Sequence, residues 1–100
     1  MTLEEFDLII NSKKPVLVDF FGVWCGPCRM MEPILEQVKV KMGESVTILK
    51  IDVDQEKELT QKYSIRGVPT LILYKEGEIK WRQSGVMMSE VIEGKINEFM

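Results

Sequence analysis

The sequence predicts an α/β domain with a central mixed β-sheet of about four strands and helices on both faces. Three observations lead there. Helical and strand periods alternate along the chain. The run Val16–Phe21 is apolar without alternation, as a strand covered on both faces requires. Near the C-terminal end, two strand-like segments flank Lys75-Glu76-Gly77-Glu78, a four-residue connection with glycine where a positive φ is needed, so that pair is antiparallel. With 100 residues, 45% of them hydrophobic and 29% charged, the chain can build one core, and residues 1–100 are read as a single domain. A domain of that size buries about two-thirds of the surface its unfolded chain exposes. It needs no disulfide staple or structural metal to fold, which leaves its cysteines free for chemistry.

The elements follow in order. Thr2 followed by Glu5 is a capping-box pattern, and Leu3, Phe6 and Ile10 recur at helical spacing, so a first helix is expected from about Leu3 to Asn11. Pro15 ends it. Val16–Phe21 is the first strand and lies centrally in the sheet. After Trp24-Cys25-Gly26-Pro27-Cys28, the apolar positions Met31, Leu35, Val38 and Met42 mark a helix bent at Pro33 and closed by Gly43. The cysteines therefore sit at that helix's N-terminus. Val46–Ile51 reads as a second strand, and Leu59–Tyr63 as part of a short helix behind the acidic turn Asp52-Val53-Asp54. Thr70–Tyr74 and Ile79–Gln83 form the hairpin. Val91, Ile92, Ile96 and Phe99 give a last amphipathic helix from about Ser89, with Gly94 inside it at a cost of roughly 1 kcal/mol against alanine. The order is α-β-α-β-α-β-β-α, with no internal repeat, linker or low-complexity segment.

Composition excludes several function classes. A net charge of −3, with lysines and arginines scattered among acids, supplies no basic field for nucleic acid. The apolar runs are far shorter than the roughly 20 residues of a membrane span. Met1–Glu5 has neither the basic start nor the apolar stretch of a secretory signal, so the cytoplasm is the expected location. The seven methionines read as core filler, and Asp52 and Asp54 as helix-start acids rather than metal ligands.

There are two cysteines, spaced Cys-x-x-Cys, and no histidine. A zinc site needs four ligands, and this chain offers two thiolates and no second pair, so no metal is expected. A structural staple closing so short a loop would remove little entropy from the unfolded chain. Two buried spectator cysteines are the bland alternative. Against all three stands the placement of the pair after a strand and at the start of a helix, which favours redox chemistry. At or just before the first helical residue, Cys25 meets unpaired backbone N–H groups and the positive end of the helix dipole, which favour thiolate over thiol. Cys25 is thus the expected nucleophile. Cys28, three residues on and on the same face, is placed to attack a mixed disulfide at Cys25 and is the resolving thiol. Gly26 permits close approach, and Pro27 suits a first turn where its missing N–H is no loss. Asp19 is out of place: a carboxylate within a two-sided apolar strand loses its hydration, so its pKa is expected to be raised.

Trp24-Cys25-Gly26-Pro27-Cys28 resembles the active-site motif of the thioredoxin family. Val18-Asp19-Phe20, Pro33, Lys50-Ile51-Asp52, Arg66-Gly67-Val68-Pro69-Thr70, Gly77 and Gly85 match the family pattern in order and spacing, over nearly the whole chain. The resemblance implies the thioredoxin fold and a dithiol-disulfide oxidoreductase that reduces protein disulfides. It gives Asp19 the role of exchanging the Cys28 proton, with Lys50 modulating its charge. It also implies a cis peptide bond before Pro69 and a substrate platform of Trp24, Gly26, Pro27, Val68, Pro69 and Gly85. No cofactor is expected on the chain itself, which would be a monomer reduced by thioredoxin reductase drawing on NADPH. Departures from the pattern are visible too. Cys25 comes early, so the N-terminal strand common in the family is expected to be missing and Val46–Ile51 to form a sheet edge. Phe21 replaces a common tryptophan, and Ser84 replaces an apolar residue beside the substrate groove. The other readings are an oxidant or isomerase, against which Gly26-Pro27 argues weakly, and a binding module that uses the platform without the thiols.

Overall fold

A computed structural model describes residues 1–100. The chain forms α1 (Leu3–Ile10), β1 (Val16–Phe21), α2 (Gly26–Met42) followed by a 3-10 turn (Gly43–Ser45), β2 (Thr47–Asp52), α3 (Lys57–Lys62), β3 (Thr70–Lys75), β4 (Glu78–Ser84) and α4 (Ser89–Glu98). The four strands lie in the order β2-β1-β3-β4. β1 runs parallel to β2 and antiparallel to β3, and β3 is antiparallel to β4. The mixed sheet, the central β1 and the edge position of β2 are therefore as expected. No helix is long and apolar enough to cross a membrane.

The two-residue period of β1 and β3 divides the core. Leu17, Leu71 and Leu73 join Met31, Leu35 and Val38 of α2 and Ile92 and Ile96 of α4 on one side of the sheet. Val16, Val18, Phe20, Ile72 and Tyr74 join Phe6 and Ile10 of α1 and Leu59 of α3 on the other. By the same alternation Asp19 shares the face of Leu17, the face that α2 covers.

Local chemistry sets the ends of the elements. In α1, Thr2 Oγ1 accepts the Glu5 N–H at 3.0 Å and Glu5 Oε1 accepts the Thr2 N–H at 2.7 Å, the reciprocal box that the sequence predicts. α2 runs unbroken through Pro33. The β3–β4 connection is tighter than expected: Lys75 and Glu78 belong to the strands, and the loop is Glu76-Gly77, with φ of 52° and 81°. Two positive φ values suit the right-handed twist of a hairpin. The Glu76 and Gly77 N–H groups donate to the carbonyls of Ser12 and Ile10, which ties the turn to the end of α1. β2 spans Thr47–Asp52, one residue later than predicted, and Val46 just before it packs into the core cluster under α2. The methionines need a larger correction. Only Met31 and Met87 are buried, while Met1, Met30, Met88 and Met100 are exposed.

Candidate active site

The chain leaves β1 at Phe21, turns through Gly22-Val23-Trp24, and enters α2 with Cys25 as the N-cap. Cys25 occupies the place where a serine or aspartate oxygen commonly caps a helix. Its Sγ accepts the Cys28 N–H at 3.1 Å. Cys25 and Cys28 are joined as a disulfide, with Cα atoms 5.2 Å apart, and each is only 4% exposed. Gly26 and Pro27 fill the first turn between them. The Cys28 N–H and the first turn of α2 thus face the Cys25 sulfur, at the end of the helix where its dipole is positive.

The second wall of the site comes from the loop before β3. The Val68–Pro69 peptide bond is cis, and the Val68 carbonyl oxygen lies 3.7 Å from Cys25 Sγ. Pro69 O accepts the N–H of Gly85 at 2.8 Å, and Gly85 has φ of 96°, a conformation that L side chains resist. Thr70 Oγ1 donates to Gly67 O at 2.6 Å and meets Ser84 Oγ at 2.8 Å. These bonds join the loop, β3 and the end of β4. Of the six platform residues, Trp24, Gly26 and Pro27 are exposed, Val68 and Gly85 are half-buried, and Pro69 is buried beneath them.

Asp19 is 1% exposed, and its Oδ1 has no hydrogen-bond partner. Burial pushes its pKa up from the ordinary 3.8 to about 6, against the attraction of Lys50 and with added repulsion from Glu32. Lys50 stands beside Asp19 in the parallel register of β1 and β2. Asp19 is thus buried in the central strand, with Lys50 on the strand beside it.

Sequence reasoning misses the parts played by three residues, of which the first is Asp54. Trp24 is 64% exposed, yet its indole is held: Nε1 donates to Asp54 Oδ2 at 2.8 Å. Asp54 is therefore not a helix-start acid, since α3 begins at Lys57 with Glu56 before it. Asp52 Oδ1 accepts the Asp54 N–H at 2.9 Å and shapes the turn. Gly22 is the second. A Cβ there would lie 2.7 Å from Trp24 Cε2, so the indole rests on bare backbone. Glu32 is the third, placed 4.0 Å from Lys50 Nζ. A glycine two residues before the tryptophan is the only one of these signals that a sequence reader could have weighed.

The family described as Thioredoxin matches residues 1–98. The chain is 39% identical over 94 residues to Thioredoxin-like protein slr0233 of Synechocystis sp., covering 94% of this chain and 90% of that protein. It is 40% identical over 102 residues to Thioredoxin of Alicyclobacillus acidocaldarius, covering 100% of this chain and 97% of that one. Among solved structures, a mutant thioredoxin from Halobacterium salinarum matches with a TM-score of 0.87 at 33% identity, over 99% of this chain and 86% of that chain.

Proposed function

The chain belongs to the thioredoxin family and is a dithiol-disulfide oxidoreductase, and from that premise we propose that it works as a reductase of protein disulfides. The observation that carries the reading is the position of Cys25: an N-cap sulfur that accepts the Cys28 N–H and is bonded to Cys28. The Cys25 thiolate attacks one sulfur of a substrate disulfide, and the other substrate sulfur leaves as a thiolate and takes a proton from water. Cys28 then gives its proton to Asp19 while its sulfur attacks Cys25 Sγ. The bond between Cys25 and the substrate breaks, and the second substrate sulfur leaves and is protonated. The substrate has gained two electrons and two protons, and the chain holds the Cys25–Cys28 disulfide.

Asp19 suits the proton step because an acid that titrates near 6 is a stronger base than an ordinary carboxylate. Lys50 tempers that basicity. Trp24, Gly26, Pro27, Val68, Pro69 and Gly85 form the platform for the substrate chain, and the backbone of Val68 pairs with an extended peptide without reading much of its sequence. Residues 1–100 act as one domain and as a monomer in the cytoplasm. Thioredoxin reductase, using NADPH bound on that enzyme, returns the pair to the dithiol.

The equilibrium reduction potential of the Cys25/Cys28 pair against glutathione tests the direction of electron flow. A value near about −270 mV, the figure known for thioredoxin itself, supports the reductase. A value near about −120 mV makes the protein an oxidant and overturns the reading.

A further inference from the structure

A groove of about 520 Å³ runs between α2 and the open edge of β2, lined by Glu32, Pro33, Leu35, Lys39, Ile48 and Lys50. Ile48 packs against the core cluster beneath α2, and Lys50, two residues on, shares that side of β2. Lys50 is thus the nearest cation in the strand register to the buried Asp19. The ion pair it makes, however, is with Glu32 Oε1 at 4.0 Å, and its Nζ also lies 5.6 Å from the centre of the Phe21 ring. Glu32 follows Cys28 by four residues, one turn further along α2. It has no core to fill and, at 62% side-chain exposure, no burial to explain it.

We propose that Glu32 is a positioning residue of the redox site: its carboxylate holds the Lys50 ammonium at the mouth of the groove, away from the buried carboxyl of Asp19. The proposal rests on the reading of Asp19 as the group that exchanges the Cys28 proton. The charged and titratable groups around Asp19 are few. β2 supplies Lys50, α2 supplies Glu32, and β3 sets the apolar Leu71 beside it. Farther along α2, Glu36 also lines the groove, Lys39 donates to the carbonyls of Gly43 and Val46, and Lys41 pairs with Glu93 of α4. Lys50 and Glu32 therefore control the local field. Neutralising Glu32 removes a repulsion from Asp19 and frees Lys50 to turn towards it. Both changes favour the charged carboxylate, so the sign of the effect is fixed.

The test is a carbon-13 NMR titration of the Asp19 carboxyl in the oxidised protein at low ionic strength. It compares the natural sequence, Glu32→Gln, Lys50→Met and the double variant. We expect Glu32→Gln to lower the Asp19 midpoint by roughly half a pH unit, the size of one partly screened charge at this range. In the Lys50→Met background the same change shifts the midpoint less. A midpoint that does not move in Glu32→Gln overturns the proposal, and so does an equal shift with and without Lys50, because Glu32 would then act without it. The pH profile of disulfide reduction in Asp19→Asn judges the Asp19 reading separately. A profile identical to that of the natural sequence would remove Asp19 from the proton step whatever the titration of Glu32→Gln shows.

Discussion

Replacing Asp19 by asparagine tests the energetics of the site directly. The folded chain holds the Asp19 proton to about pH 6, whereas the free side chain releases it at 3.8. At about 1.4 kcal/mol per tenfold change in proton affinity, this corresponds to about 3 kcal/mol. The sign follows from linkage. A carboxyl with a raised folded-state pKa favours the fold while it is protonated, so its contribution is complete below 3.8, falls between 3.8 and about 6, and is lost above that. Near pH 7 the natural protein must carry a buried charge that asparagine does not. Asp19→Asn is therefore expected to be more stable than the natural sequence by up to about 3 kcal/mol near pH 7.5, less the cost of burying the amide, and the gain should shrink towards zero near pH 3.5. Urea unfolding of the oxidised protein at a series of pH values measures this. The difference between the two proteins isolates Asp19 from Glu5 and Glu90, whose lowered pKa values act with the opposite sign at lower pH. A stability difference that does not vary with pH would refute the reasoning.

Gly22→Ala is expected to push the Trp24 indole off its seat, since the new Cβ would approach Cε2 to 2.7 Å. The bond to Asp54 is lost, KM for a protein disulfide rises several-fold with kcat little changed, and the tryptophan fluorescence shifts. Unchanged fluorescence and KM would show that the indole does not depend on that glycine. Cys28→Ser should trap the Cys25–substrate disulfide, seen by mass spectrometry as a stable adduct, while Cys25→Ser traps nothing. Partner binding with full biological effect in the double serine variant would instead favour a binding module. Thr2→Ala removes the Thr2 half of the α1 capping box and should lower stability by about 1 kcal/mol in urea unfolding, with the reduction potential unmoved.

The parts of the site that follow a local rule were legible in the sequence. Cys25 and Cys28 are read from their spacing and from the helix that follows them. Asp19 is read from an apolar strand with one carboxylate in it, whereas the edge position of β2 rests on the family resemblance, from which an N-terminal strand is missing here. What stayed hidden depends on tertiary contact. Trp24 and Asp54 lie 30 residues apart, and an exposed acid in a turn looks the same whether or not an indole donates to it. Lys50 and Glu32 meet only because the parallel crossover lays α2 against the edge strand. The methionines misled because their hydrophobicity says nothing of which helix face they occupy; Met30 and Met31 are neighbours, one exposed and one buried. Glu76 at positive φ shows the hairpin overriding a local preference, since the strand twist and the bonds to Ser12 and Ile10 fix the turn.

Burial and surface charge both act on Asp19, and salt can tell the two apart. Asp19 is held towards the acid by loss of hydration inside the sheet. The contribution of burial does not depend on mobile ions, because Asp19 is shut away from them. Lys50 and Glu32 are different: their side chains are 45% and 62% exposed, at a groove mouth that ions can enter. At about 1 M salt the screening length falls to about 3 Å, which weakens the interactions of such exposed charges far more than those of buried ones. The Asp19 midpoints of the natural protein and of Glu32→Gln are therefore expected to converge in high salt, with both remaining well above 3.8. Collapse of both towards 3.8 would mean that surface charge, and not burial, raises the Asp19 pKa, and the same result would withdraw the stability gain expected of Asp19→Asn.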